Sequence, residues 1–194
     1  MSATMDLSAV AGGFAVVNAV SLYVERGNDT FRSVHVEAAA RAAKYSRELG
    51  VQRLAHVSGI GADAQSHSSY IRSRGEGESA VRAAFSKATI IRPAVMFGPD
   101  MKMLRMLPVF PIFGRGQTAL QPSYVEDVGE AIARCFDAPE PRMTYELAGP
   151  NTYTYKELGQ TMCNYLGIPR MPFDDSGESV HASILQSGTL VRLE

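Results

Sequence analysis

Short apolar, β-branched runs alternate along this chain with longer segments of helical period, and that rhythm restricts the fold more than any single motif. The first run is FAVVNAV, Phe14 to Val20. Phe31, Val34, Ala38, Ala42, Tyr45 and Leu49 then recur at intervals of three and four, which puts one apolar stripe on a helix that Gly50 closes. RLAHVS, beginning at Arg53, predicts a second strand, and a helix over about Ser69 to Phe85 follows it. Ala88 to Gly98 predicts a third strand, apolar enough to be buried on both faces, and Thr144 to Gly149 a fourth. Ser123 with Glu126, and Thr154 with Glu157, have the spacing of capping boxes, predicting helices that run to Phe136 and Leu166. Such a strand-helix-strand succession folds as a parallel α/β sheet covered by helices.

Composition narrows what such a sheet is for. The 194 residues make about one domain, long enough to bury a core. A formal net charge of -1, with 20% charged residues, gives no electrostatic case for nucleic acid. Cys135 and Cys163 lie far apart and form no C-x-x-C, so neither a disulfide framework nor a zinc site is expected, and a reducing, intracellular compartment is. The opening MSATMDLSAVAGG lacks the basic and apolar regions of a secretory signal, and no run approaches the ~18 apolar residues of a membrane span. No metal site is expected. His35 and His56 sit in predicted elements as packed or capping groups, while His67 and His181 have no ligand partner at metal spacing.

The stretch from Arg53 to Arg74 holds two competing readings. Gly59, Gly61 and Ala64 have the G-x-G-x-x-A spacing of a dinucleotide-binding turn. Such a turn needs a helix to begin inside the motif, so that free N–H groups face the pyrophosphate. Here a polar loop, ADAQSHSS, follows Gly61, and no acidic residue ends a next strand roughly 20 residues on. A glycine-rich exit from a strand is the better account. The second reading takes Ser58, Tyr70 and Arg74 together. Residues 70 and 74 are one helical turn apart, so a cation lies beside a phenol, an arrangement by which a tyrosine is made to work as an acid or base. Ser58 falls at the carboxyl end of a parallel strand, where open α/β sheets present groups to ligands. Spacing alone favours an ordinary surface pair for Tyr70 and Arg74.

Wider resemblance adds weight to the second reading. VVNAVS, VSGIGAD, SSYIRSRGEGESAV, TIIRPAVMFGP, PSYVEDVGEAI and TYELAGP occur in the order and spacing of the extended and atypical short-chain dehydrogenase/reductase superfamily. Within it the chain most resembles the branch that contains the NAD(P)-binding accessory subunit of respiratory complex I and its bacterial relatives. The narrower match rests on HVEAAARAA and on the run from Tyr70 to Glu78. The resemblance implies a Rossmann-type sheet over residues 1–168, with substrate-side elements from about 99 and a divergent tail over 169–194. It implies that Ser58, Tyr70 and Arg74 hold the places of the family's catalytic serine, tyrosine and lysine. It implies further that Asn18, Ala19 and Val20 end the strand under the adenosine side of NAD or NADP, that Tyr70 and Arg74 also touch the cofactor, and that Pro93, Ala94 and Val95 lie against its nicotinamide. Asp127 matches a helix-start position with a bracing role.

Two departures qualify those implications. Arg74 replaces the lysine; it keeps the charge but does not give up a proton, so a relay through it fails. The family's phosphate-binding glycine turn has no counterpart here, because Gly12-Gly13 precede a strand instead of following one. The expectation is therefore an N-terminally truncated family fold, with weak or absent NADP or NAD binding by this chain alone. Two functions remain open: a non-catalytic protein associated with respiratory complex I subunits, or a reductase or sugar-nucleotide epimerase with Tyr70 as acid/base. A cytoplasmic location, peripheral to the inner membrane or in the mitochondrial matrix of a eukaryote, follows from the resemblance. The apolar strand 14–20 has no charge or proline to blunt it, so a homodimer through that edge, or its coverage by the tail after Pro169, is expected.

Overall fold

The computed structural model describes residues 13–98, 116–139 and 143–166. The loop after Pro99, the tail after Pro169, Gly12 and His181 lie outside the described residues. Eight strands are described: β1 (Ala15–Asn18), β2 (Arg53–Val57), β3 (Thr89–Pro93), β4 (Met96–Phe97), β5 (Ala119–Leu120), β6 (Ser123–Tyr124), β7 (Thr144–Leu147) and β8 (Tyr153–Thr154). Between β1 and β2, π-helical turns over Arg32–Ala38 run into helix α1 (Ala39–Glu48). The other helices are α2 (Ser69–Ala84), α3 (Val125–Asp137) and α4 (Tyr155–Leu166).

The principal sheet has the order β1-β2-β3-β7, and every pair in it is parallel. Alternation along the central strands divides its core in two. Leu54 and Ile90 pack with Ala39, Ala43, Val81 and Phe85 beneath α1 and α2, while Ala55 and Ile91 pack with Cys135, Ile132 and Phe136 beneath α3. Successive strand residues point to opposite faces, so both faces of β2 and β3 must be apolar, as a sheet covered on both sides requires.

Three local expectations are corrected. The long third strand stops at Pro93, whose ring carries no N–H to continue the ladder, and the chain resumes as β4. The stripe on the first helix is turned by one residue: His35, Ala39, Ala43 and Ser46 are the buried positions, and Tyr45 is 37% exposed. Small residues win that face because α2 packs closely against it. The Ser123 capping box does not form, since the Ser123 hydroxyl donates to Leu147 O at 2.7 Å and Tyr124 occupies the cap position. The other box forms fully: Thr154 N donates to Glu157 Oε2 at 2.7 Å, and Glu157 N donates to Thr154 Oγ1 at 3.1 Å.

The chain divides into two compact units, Met1–Met96 with Ser123–Gly149, and Phe97–Pro122 with Pro150–Glu194. The first holds the parallel sheet. In the second, β5 pairs antiparallel with β8, and Tyr155 N donates to Thr118 O at 2.9 Å. Among the described residues no helix is long and apolar enough to cross a membrane, and no cluster of His, Cys, Asp and Glu is arranged to hold a metal.

Candidate functional site

The carboxyl ends of β1, β2 and β3 meet along one edge of the sheet, since Asn18 is in register with His56, Val57 with Ile91 and Pro93 with Leu147. Most of the residues singled out from the sequence lie on this edge. Asn18 ends β1 rather than preceding its last residues; Ala19 and Val20 follow as exposed backbone. Its carboxamide spans two neighbours, with Oδ1 accepting from Val20 N at 3.3 Å and Nδ2 donating to His56 Nδ1 at 3.1 Å. Pro93 closes β3, Ala94 N donates to Leu147 O, and the 43% exposed Val95 accepts from Ser123 N.

Ser58 continues β2, its N–H donating to Ile91 O at 2.7 Å. Ile60 N then donates to Pro93 O, and Gly61 turns the chain at φ 80°, a left-handed conformation that glycine adopts without strain. Helix α2 begins only at Ser69, after the cap Ser68, whose hydroxyl accepts from Ile71 N. Gly59 and Gly61 therefore serve a strand exit, with no helix N-terminus inside the motif.

Tyr70 and Arg74 lie on α2, one turn apart, on the side facing the segment after β1. The Arg74 guanidinium carbon stands 4.9 Å from the centroid of the Tyr70 ring, over its face. Its Nη2 donates to Ser21 Oγ at 2.6 Å. Arginine thus meets the tyrosine through the ring in a cation–π contact. Tyr70 is further enclosed by aromatic neighbours: Tyr23 stacked at 6.1 Å, with Phe31 and His35 edge-on at 5.5 and 5.6 Å.

His35, which the sequence left as a packing residue, organises this cluster. Its Nε2 accepts from Leu22 N at 3.1 Å, so the proton of the neutral ring resides on Nδ1, which donates to Ser73 Oγ at 2.9 Å. Ser73 Oγ in turn donates to Tyr70 O. Burial, and then the Arg74 charge, lower the His35 pKa below its ordinary value. His56, buried deeper, is pushed down to about 4, chiefly by desolvation, with Arg74 and His35 adding to the effect and Glu78 opposing it. Both histidines are held neutral beside a permanent cation. Helix α2 reaches them because Gly75 and Gly77 lack side chains: a Cβ at Gly77 would strike His35 O, and one at Gly75 would strike the backbone of Asp63 and Ala64.

Two of the three buried side-chain polar atoms without a partner among the described residues are Ser58 Oγ and Arg74 Nε; the third is Arg82 Nε. Ser58 is 4% exposed and Arg74 8%. Nearby, Arg92 makes a bidentate bridge to Glu78, at 2.9 and 2.8 Å, and reaches Glu146 at 3.1 Å. Asp127 is exposed in the first turn of α3, where a carboxylate suits the positive end of the helix dipole.

A parallel sheet with helices on both faces brings the chain to one carboxyl edge, where Ser58 follows β2 and α2 carries Tyr70 and Arg74, and the chain belongs to the family of the NADH dehydrogenase (ubiquinone) 1 alpha subcomplex subunit 9. No family model matches the chain. It is similar to NADH dehydrogenase (ubiquinone) 1 alpha subcomplex subunit 9 of Arabidopsis thaliana, 34% identical over 157 residues, covering 76% of this chain and 39% of that protein. The NADH-ubiquinone oxidoreductase 40 kDa subunit of Neurospora crassa is 36% identical over 137 residues, 69% of this chain and 36% of that protein. The chain thus spans about two fifths of the length of these relatives. In fold it resembles DesIV, a dTDP-glucose 4,6-dehydratase from Streptomyces venezuelae with NAD bound, at a TM-score of 0.69 and 20% identity, over 84% of this chain and 60% of that one.

Proposed function

We propose that this chain is a non-catalytic, nicotinamide-dinucleotide-type protein that associates with respiratory complex I. The observation that carries this reading is the likeness to complex I subunits at 34–36% identity, extending through the Tyr70 to Glu78 stretch. The site supports it. Where the family uses a lysine that exchanges protons, a guanidinium lies on the tyrosine ring and is tied to Ser21, so it braces the cluster and relays nothing.

The described residues fit the nicotinamide side of a dinucleotide. The unpartnered Ser58 hydroxyl and Arg74 Nε sit at the carboxyl edge, with the Pro93 to Val95 backbone beside them in the sheet order. Ser58, Tyr70 and Arg74 would hold the reactive end, with Asn18, Ala19 and Val20 on the adenosine side. When bound, the dinucleotide supplies hydride-transfer capacity. The described residues offer no glycine turn leading into a helix N-terminus for the pyrophosphate, so binding by this chain alone is weak. In a eukaryote the location that goes with this reading is the mitochondrial matrix, peripheral to the inner membrane.

A second reading rests on the unpartnered Ser58 Oγ, which suits a hydroxyl that orients a substrate carbonyl for Tyr70 as acid/base in a reductase or epimerase. At the edge of the sheet among the described residues, β1 holds Val17, 43% exposed, between Phe14 and Val20 at 54% and 63%, which also favours pairing with a second copy. Disruption of the gene separates the two main readings. Loss of assembled complex I on native gels supports the first, whereas intact complex I with accumulation of an unreduced carbonyl metabolite supports the second.

A further inference from the structure

We infer that the segment 19–30, which leaves β1 and returns to the turns that carry His35, is a strap over the Tyr70 ring that opens in mild acid, with His35 as its latch. Three contacts hold its first half against α2 and the His35 turns. Leu22 N donates to His35 Nε2 at 3.1 Å, Arg74 Nη2 donates to Ser21 Oγ at 2.6 Å, and Tyr23 stacks on Tyr70 at 6.1 Å. Its second half is tied mainly to itself and to the residue that follows it: Arg26 and Asp29 exchange backbone hydrogen bonds at 3.0 Å, and Glu25 Oε1 accepts from Phe31 N at 2.7 Å. Val20, Tyr23 and Val24 are 63%, 72% and 60% exposed, so little apolar burial holds the strap down. Segments of that kind open locally while the core stays folded.

The hydrogen bonds through His35 run in one direction. Ser73 Oγ gives its proton to Tyr70 O at 2.9 Å, so toward His35 it can only accept, and Nδ1 supplies the proton. Nε2 is left as a bare acceptor, and the Leu22 N–H points at its lone pair. A second proton on the ring makes both nitrogens donors, and Nε2–H then faces the Leu22 N–H. The bond that closes the strap becomes a donor–donor clash. His35 cannot follow the strap outward, since α2 at Gly77 packs directly on His35 O and Phe31 stacks on the ring at 5.6 Å. The strap yields instead, taking Tyr23 off the Tyr70 ring and Ser21 away from Arg74.

The surroundings of the imidazole set the direction of the response. From α2, Arg74 and Tyr70 bear on it, and from β2, His56. Among the described residues no carboxylate pairs with His35: Glu78 on α2 is bridged to Arg92, Glu25 on the strap accepts from Phe31 N, and Glu37 pairs with Arg32. Burial and then the Arg74 charge keep the His35 pKa below its ordinary 6.5 while the strap is closed. Above pH 6.5 the ring is neutral whether the strap is closed or open, so closure is at full strength. As pH falls below that value the open form takes up the proton first, and closure weakens by up to about tenfold per pH unit.

The test follows the ¹⁵N-labelled full chain by NMR from about pH 7.5 down to about pH 5, the range in which histidine titrates. At the upper end the His35 ring should carry its proton on Nδ1, with Nε2 bare. As the ring charges, exchange protection of the Leu22 amide should fall by up to about tenfold per pH unit, while that of Ile90, in the core of β3, holds. Tyr23 ring signals should move with the same midpoint. In His35→Gln, whose carboxamide accepts from Leu22 N without titrating, the fall should disappear; in His56→Gln it should remain. Nε2 protonated at neutral pH, Leu22 protection that is constant or falls in step with Ile90, an undiminished fall in His35→Gln, or a fall abolished in His56→Gln overturns the latch. Should His35→Gln fail to fold, the parent decides alone: coincident midpoints for the imidazole nitrogens, the Leu22 amide and the Tyr23 ring support the latch, and separate midpoints overturn it. None of these outcomes depends on association with complex I.

Discussion

Replacing Gly77 by alanine tests whether a close helix approach builds the site. In an exposed helix this change stabilises by about 1 kcal/mol through helix propensity. At Gly77 the new Cβ would fall inside the van der Waals surface of His35 O, a backbone atom that no side-chain rotation removes. Helix α2 must retreat from the His35 turn or deform. Overpacking of this kind costs about 1–3 kcal/mol. Retreat also weakens the edge-on contact of His35 with Tyr70, worth about 1 kcal/mol beyond burial. The net expectation is a loss of about 2 kcal/mol, or roughly 4–8 °C in melting temperature for a chain of this size. Gly129→Ala is the internal control: that glycine is exposed within α3, and its Cβ would meet nothing within 4 Å, so a gain of about 1 kcal/mol is expected. Thermal and urea melts of the two variants should therefore move in opposite directions. Equal stabilisation by both would refute the argument that Gly77 lets α2 reach His35.

Stability should fall with pH through His56. Its folded pKa of about 4 lies below the ordinary 6.5, so the unfolded chain takes up a proton first, and stability drops as pH falls from 6.5 towards 4, by about 3 kcal/mol in all. Urea midpoints at pH 7 and 4.5 should differ clearly less in His56→Gln; identical shifts contradict the assignment. The Arg92 bridges predict unequal partners. Glu78→Gln removes the buried carboxylate and should cost about 3 kcal/mol, whereas Glu146→Gln, at an exposed end, should cost under about 1 kcal/mol. Any turnover of a carbonyl substrate is expected to vanish in Tyr70→Phe and to rise in Arg74→Lys; unchanged turnover in Tyr70→Phe removes the acid/base role. Calorimetric titration of the chain with NADPH and NADH should give affinities weaker than about 100 μM, that is under about 6 kcal/mol of binding energy, and a low-micromolar value would contradict that.

The succession of strands was legible because period two and period 3.6 differ sharply over these runs, and because β2 and β3, covered on both faces, carry apolar pairs at their centres, Leu54-Ala55 and Ile90-Ile91. The fourth strand was readable for the same reason. What the pattern could not give was rotation about a helix axis. Phe31 to Leu49 supplies apolar residues on more than one side, and the small face, Ala39 and Ala43, is the buried one because it packs with Leu54, Val81, Phe85 and Ile90 from distant segments. Ser123 had a capping sequence, yet Leu147 O, 24 residues on, took its hydroxyl. At the site, Ser58, Tyr70 and Arg74 were readable from spacing and resemblance. His35 and Ser21 were not, since their roles depend on the path of the segment after β1. The signal in the sequence that pointed to His35 was its place one turn beyond Phe31, on a helix rich in alanine.

Association with complex I is the claim on which the reading depends most, and affinity purification of the tagged chain from the organism that encodes it tests it directly. Solubilised in mild detergent and analysed by mass spectrometry, the eluate should contain complex I subunits in near-stoichiometric amounts and should oxidise NADH with a quinone acceptor. A chain recovered alone, or with a second copy of itself only, from membranes whose complex I is intact would contradict the account.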